Sequence, residues 1–188
     1  MRSETSALVI KKILVLHGWD STSQSNWFPL KQAGGQIYEV IVPDLPEAKA
    51  PVLNDWLAEA YTQADLEGDI IIGHSMKTVA HYIETYSITV KAILVGPSYE
   101  TIEDELDLDP SNIKSKLIAF NESKLDFKKL NSLDNEYVVF LSDNDRFINL
   151  DSATQYYSQI DVQIIPFHNA GHFMKSEFEQ LPEVLQYI

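Results

Sequence analysis

Apolar residues gather into short, nearly continuous runs over positions 8–16, 37–42, 69–72, 92–95, 137–141 and 162–167. Runs of strand length without strict alternation predict strands covered on both faces, as in a parallel sheet. Between most of them the apolar spacing turns helical: 27–32 ahead of Gly34-Gly35, 51–64 with a proline at its start, 76–86, 151–158 and 176–187, the last to be bent or split by Pro182. Strands alternating with helices predict an α/β three-layer sandwich of about six mainly parallel strands with helices on both faces. Right-handed crossovers in a doubly wound sheet give the order 2-1-3-4-5-6, with its switch point between the first and third strands. Ligands bind at such a point, outside the carboxyl ends of the strands.

The loops at that point carry the chemistry. Asp69-Ile70-Ile71-Ile72-Gly73-His74-Ser75 runs from a strand pattern into Gly-x-Ser and then into a helix pattern. This is the layout of the nucleophile elbow of α/β-hydrolases, where a sharp turn lifts the serine hydroxyl clear of the sheet and points a helix N-terminus at it. The second residue after the serine is normally small, and here it is Lys77. Three fates are open to it. Its methylenes can lie along apolar surface with the ammonium in water, its charge can enter and modulate the site, or it can distort the elbow and leave a binding protein. The neighbouring loop, His17-Gly18-Trp19-Asp20, can supply an oxyanion donor.

A serine hydroxyl needs a neutral imidazole within hydrogen-bond reach, itself oriented by a carboxylate. Of the five histidines, His172 follows the last strand on a glycine turn and is the preferred base, with His168 as its rival. His17 and His74 sit in turns at strand ends and are expected to hold those turns, while His81 falls on the helix after Ser75 as a packing or surface residue. The fifth strand ends in Ser142-Asp143-Asn144-Asp145. Asp145 is the preferred acid, Asp143 the runner-up, and Asp151 is expected to cap the following helix. Ser75, Asp145, His172 follow the Ser, acid, His order of α/β-hydrolases. The Asp-Asn-Asp cluster lacks the glycine and glutamate of a calcium loop, so no metal is called for.

Composition narrows the function classes. The 188 residues suit one domain, 1–188, with 45% apolar and 22% charged residues. A net charge of −14 repels phosphate backbones and anionic membranes, so neither nucleic acid nor membrane is an expected partner. No run approaches the length of a membrane span, and the N-terminus carries no secretory pattern, which makes a cytoplasmic monomer the default. The absence of cysteine excludes thiol nucleophiles and thiolate metal sites.

Beyond the elbow and the acid and histidine loops, the chain carries Val15-Leu16-His17-Gly18, Asn26-Trp27-Phe28-Pro29-Leu30, Val42-Pro43-Asp44-Leu45-Pro46, Pro51 followed by Trp56-Leu57, Leu94-Val95-Gly96-Pro97 and Gly171-His172-Phe173. Taken together, nearly end to end, these pieces resemble the small lidless serine hydrolases typified by retinoblastoma-binding protein nine. The resemblance implies an α/β-hydrolase core with Ser75 as nucleophile, His172 as base and Asp145 as acid. It also implies ester or amide hydrolysis by acyl transfer, without a cofactor. Retinoblastoma binding does not carry over, because the associated Leu-x-Cys-x-Glu motif needs a cysteine. The oxyanion donors expected are the backbone N–H groups of Met76 and Trp19, and the Trp19 indole can line an acyl pocket or simply pack. Trp27 and Trp56 are expected in the core.

The longest connection, 98–136, is the place for a small cap or lid. Its six acids between Glu100 and Asp109 read as a solvated acidic helix followed by a packed return over 113–120, or as a mobile lid that repels anions. Lys124, Lys128 and Lys129 read as a solvated face. The expected function is that of a carboxylesterase-like serine hydrolase acting on a small ester or amide, with a non-catalytic hydrolase-fold binder as the alternative that Lys77 keeps open.

Overall fold

The computed structural model describes residues 11–28, 38–64, 66, 69–99, 113–174 and 182–188. Strands β1 (Lys11–Leu16), β2 (Tyr38–Ile41), β3 (Ile70–His74), β4 (Lys91–Val95), β5 (Glu136–Ser142) and β6 (Val162–Phe167) form one sheet in the order β2-β1-β3-β4-β5-β6. Every pairing is parallel. The order is the one expected for a doubly wound sheet with right-handed crossovers. Helices α1 (Leu53–Gln63), α2 (Thr78–Tyr86), α3 (Ile113–Glu122), α4 (Phe127–Ser132) and α5 (Leu150–Tyr157) lie between the strands, and a 3-10 helix spans Pro182–Tyr187.

The inner strands are buried on both faces, their successive side chains pointing to opposite sides that are each covered, while the edge strands β2 and β6 are half-buried. Leu14, Leu16, Ile71, Leu94, Val139 and Leu141 pack on one face with Trp56, Leu57, Val79, Tyr82, Leu130 and Tyr157 from the helices. Ile13, Val15, Ile70, Ile72, Val95, Val138 and Phe140 pack on the other with Trp27, Phe28, Phe173 and Val184. Trp27 and Trp56 are thus core residues, each with its indole N–H bonded to a carbonyl, of Phe173 and Pro46 respectively.

Several boundaries differ from the sequence reading for physical reasons. β3 continues through Gly73 and His74, because the ladder to β4 extends to the pair His74 and Val95. α2 begins at Thr78 rather than at Met76, since the turn at Ser75 occupies the intervening residues. The cap of α5 is Asn149, whose side chain accepts from the Ser152 N–H at 3.0 Å, and Asp151 lies in the first turn instead. The packed return over 113–120 is itself helical, with Leu117 and Phe120 buried. Trp27 lies in a turn, so the helix expected from 27 does not begin there, and its remainder falls outside the described residues. The same holds for 8–10, Gly34-Gly35, Ile37, the acids of 100–109 and the segment 176–181. Among the described residues no helix is long and apolar enough to cross a membrane.

Gly73 allows α2 to lie against β3. A Cβ there would stand 2.4 Å from Val79 Cγ2, closer than packed atoms come. Gly73→Ala is therefore expected to lower the unfolding free energy by about 1–3 kcal/mol, the usual cost of overpacking, as read by urea denaturation.

Candidate active site

The carboxyl ends of all the parallel strands fall on one edge of the sheet, and the loops leaving them are tied to one another. Ser75 N–H donates to the Val95 carbonyl, Gly96 N–H to Phe140 and Asp143 N–H to Phe167, each at 2.9–3.1 Å, so the ladder runs on past the strand ends. Ser75 has φ of 66°, a left-handed conformation that a serine adopts only under constraint from its surroundings. Gly18 lies against it: a Cβ there would meet Ser75 Cβ at 2.7 Å and the His74 carbonyl at 2.9 Å. Two glycines thus let three chain segments converge on a turn that exposes the Ser75 hydroxyl.

The structure brings the three preferred residues together. His172 Nδ1 lies 2.7 Å from Asp145 Oδ2, and His172 Nε2 lies 2.9 Å from Ser75 Oγ. A carboxylate only accepts, so Nδ1 carries the proton and Nε2 is left to accept from the serine hydroxyl. Asp145 Oδ1 takes the N–H groups of Phe147 and Ile148 at 2.8 and 3.1 Å, and its side chain is only 1% exposed. Gly96, with φ of 54°, backs this pair: a Cβ there would lie 3.4–3.5 Å from both His172 Nδ1 and Asp145 Oδ2.

The rivals pair with each other elsewhere. His168 Nδ1 contacts Asp143 Oδ2 on the exposed rim, and neither is bonded to Ser75. His17 donates from Nδ1 to the Gly18 carbonyl and accepts the Leu45 N–H at Nε2, both at 2.9 Å, which fastens the loop after β2 to the loop after β1. His74 donates from Nε2 to the His172 carbonyl at 2.8 Å, holding the backbone of the imidazole loop. His81 is buried on α2, with Nε2 2.7 Å from Ser123 Oγ.

Lys77 takes neither of the routes to water or to the site. It is 1% exposed, its Nζ donates to the Asn121 carbonyl at 2.6 Å, and the ammonium lies 5.8 Å from the Tyr156 ring centroid. The side chain is folded in beneath α3 while the elbow keeps its turn. Asn121 in turn accepts at Oδ1 from Ser98 Oγ at 2.8 Å.

A cleft of about 280 Å³ opens on Ser75 and His172. Met76 and Trp19 line it, as do Ser98, Leu117, Asn121, Arg146 and Phe147, whereas Lys77 does not. Of the expected oxyanion donors, the Met76 N–H is bonded to the His74 carbonyl at 2.7 Å across the tight turn at Ser75. The Trp19 indole donates to the Lys49 carbonyl at 2.9 Å, so one edge of the ring is fixed while the residue lines the cleft. Sequence reasoning missed Ser98, although Gly96-Pro97-Ser98 at a strand end was a usable signal. It also missed Asn121, for which helix periodicity offered none.

This six-stranded parallel sheet, with Ser75 after the third strand, Asp145 after the fifth and His172 after the sixth, has the fold of the α/β-hydrolases. A family model described as serine hydrolase matches residues 13–188, and the chain belongs to that family. It is similar to the serine hydrolase RBBP9 of Rattus norvegicus, at 23% identity with 99% of this chain and 96% of that one covered. It is also similar to the YdeN hydrolase of Bacillus subtilis, at 24% identity over 93% of this chain and 92% of that one. The crystal structure of YdeN superposes with a TM-score of 0.77 at 21% identity, covering 94% of this chain and 95% of that one. Carboxylesterase CesB of Bacillus subtilis shares the fold at a TM-score of 0.64 and 16% identity, over 94% of this chain and 81% of that one. The chain is an RBBP9-like small serine hydrolase.

The buried histidines make stability depend on pH. Burial pushes His74 down to about 3, with the His172 imidazole adding to the effect, and burial together with the Lys77 charge pushes His81 down to about 4. Burial lowers His17 as well. Each is neutral in the fold but takes up a proton near 6.5 once unfolded, so the unfolded state binds more protons below that pH. The stability this neutrality confers is complete above about 6.5 and is lost as pH falls toward about 3, with a slope of up to about 1.4 kcal/mol per pH unit for each group. His74→Gln keeps an N–H donor for the His172 carbonyl and removes one titration. Urea denaturation between pH 7 and 4 is expected to show a slope shallower by about one proton.

Proposed function

We propose that the chain hydrolyses a small ester or amide by acyl transfer, in the manner of a carboxylesterase, with Ser75 as nucleophile. The observation that carries this reading is the continuous hydrogen-bonded line from Ser75 Oγ through the His172 ring to Asp145. In the first half-reaction His172 Nε2 takes the hydroxyl proton as Oγ attacks the carbonyl carbon. Collapse of the tetrahedral adduct breaks the bond to the leaving group, which receives that proton and departs. Water then attacks the acyl-enzyme with His172 again as base, releasing the acid and restoring Ser75. Asp145 keeps the imidazole in the required tautomer and steadies its positive charge.

The oxyanion is assigned to the backbone N–H groups of Met76 and Trp19. Because Met76 N–H rests on the His74 carbonyl, it must share or exchange that bond as negative charge develops on the substrate oxygen. Leu117 and Asn121 of α3, a helix within the 98–136 connection, stand at the cleft wall, in keeping with a small cap there. Esterase activity of fold neighbours such as CesB is in keeping with this substrate class.

A fluorophosphonate probe tests the reading. Wild type is expected to label and Ser75→Ala to remain unlabelled, while Asp145→Asn lowers kcat/KM on p-nitrophenyl esters on the order of 10⁴-fold. Failure of folded wild type to label would sink the hydrolase reading in favour of a non-catalytic binder.

Lys77→Met separates the side chain's charge from its bulk. It keeps most of the buried volume and leaves the Asn121 carbonyl without the ammonium donor, so it is expected to cost about 1–3 kcal/mol of stability while preserving labelling. Labelling gained only on replacing Lys77 would mean that the lysine holds the site inactive.

A further inference from the structure

The loop that carries His172 is an unusual piece of backbone. Asn169, Gly171 and Phe173 all have φ between 54° and 56°, so alternate residues over five positions lie in the left-handed region. Two of the three are not glycine, and such a run is not held by local preference. Alternation of this kind turns successive N–H groups toward one side and makes a concavity that attracts oxygen atoms.

Oxygens from one tetrapeptide fill it. Asn169 N–H donates to Asp143 Oδ1 at 2.9 Å, Ala170 N–H to Ser142 Oγ at 3.0 Å and Gly171 N–H to Asn144 Oδ1 at 2.7 Å. The fourth donor is the His172 ring itself, on Asp145 Oδ2 at 2.7 Å. Four consecutive side chains of the β5 loop thus take four consecutive donors from the β6 loop. Ser142 Oγ, having accepted from Ala170, donates its own hydrogen bond to Asn144 Oδ1 at 2.9 Å, so Asn144 Oδ1 accepts two of the chain's bonds.

We propose that Asn144 is a positioning residue for His172: by gathering the Gly171 N–H and the Ser142 hydroxyl at Oδ1, it fixes the loop so that the imidazole spans Ser75 and Asp145. The role rests on the hydrolase reading above but acts through geometry alone. Asn144 is not bonded to Ser75 and does not line the cleft, and it is exposed, so its truncation opens no hole in the core. Without it, Gly171 N–H and the buried Ser142 hydroxyl lose their shared acceptor, and the tether on the residue before His172 is lost. The other groups around the imidazole do not replace that tether. His74 holds the His172 carbonyl, Phe147 packs edge-on to the ring at 4.9 Å with Arg146 stacked beyond it, and Asp143 with His168 lies farther back along the loop. Catalysis is sensitive to displacements of this size, since about 1 Å of misplacement costs up to roughly a hundredfold in rate.

The test compares wild type with Asn144→Ala and Asn144→Asp, whose carboxylate can accept both bonds. Active sites are first counted by fluorophosphonate stoichiometry, so that unfolded protein is not mistaken for slow protein. Asn144→Ala is expected to lower kcat per labelled site about ten- to a hundredfold with KM within about twofold, and Asn144→Asp to restore most of it. The second readout needs no turnover: the downfield proton resonance of the His172 Nδ1–H, assigned by its loss in His172→Gln, broadens or vanishes in Asn144→Ala and returns in Asn144→Asp. Unchanged kcat together with an unchanged resonance in Asn144→Ala overturns the proposal, as does a loss that Asn144→Asp fails to restore. If wild type neither labels nor turns over while the resonance responds as described, the hydrolase reading fails and the positioning role stands.

Discussion

The arrangement depends on one crowded passage, where β3 gives way to α2 through Ser75. The serine is held left-handed with its hydroxyl clear of the sheet, and the space that permits this comes from its neighbours. Gly73 leaves room for Val79 of α2, and Gly18 leaves room for the serine itself. The backbone strain is of order 1–3 kcal/mol, and it is offset by a ladder that extends beyond the strand ends. Because α2 is seated on β3 by the same contact, core packing and exposure of the hydroxyl are one feature.

The histidines show how much of the site is support. His17 joins two loops and His74 holds the carbonyl of His172, and both do so as neutral rings in buried surroundings. A buried neutral imidazole can donate at one nitrogen and accept at the other, which lets His17 serve a carbonyl and an amide N–H at once. His172 uses the same two-sided chemistry between a carboxylate and a hydroxyl. One side-chain type therefore both braces the loops and links Asp145 to Ser75, and the partners of each ring separate the two arrangements.

Lys77 reverses the expectation attached to an irregular letter in a motif. A long cationic chain beside Ser75 was expected to reach solvent, to enter the site or to distort the turn, yet its ammonium is taken up by a backbone carbonyl of α3 and lies near the Tyr156 ring. The residue that departs from the elbow pattern ties the cleft wall to the elbow helix, since Asn121 belongs to both the tether and the lining.

The alternation of strands with helices and the two-faced burial of the inner strands were legible in the chain from its continuous apolar runs and helical periods, and the strand order followed by analogy with doubly wound sheets. Also legible was the preference for Asp145 and His172, which rests on where strands end rather than on which atoms meet. Position ranked His172 above His168 and Asp145 above Asp143, but it did not show which side chains meet. Only the tertiary structure paired the rivals with each other on the rim and aimed the others at Ser75. It alone also placed Asn121 and Ser98 in the cleft and turned Lys77 inward. The physical reason is that periodicity encodes which face of an element is buried, a local property. Side-chain direction in a loop and the fate of a buried charge are set by partners distant in the chain, such as Asn121, 44 positions from Lys77, or His172, 97 positions from Ser75.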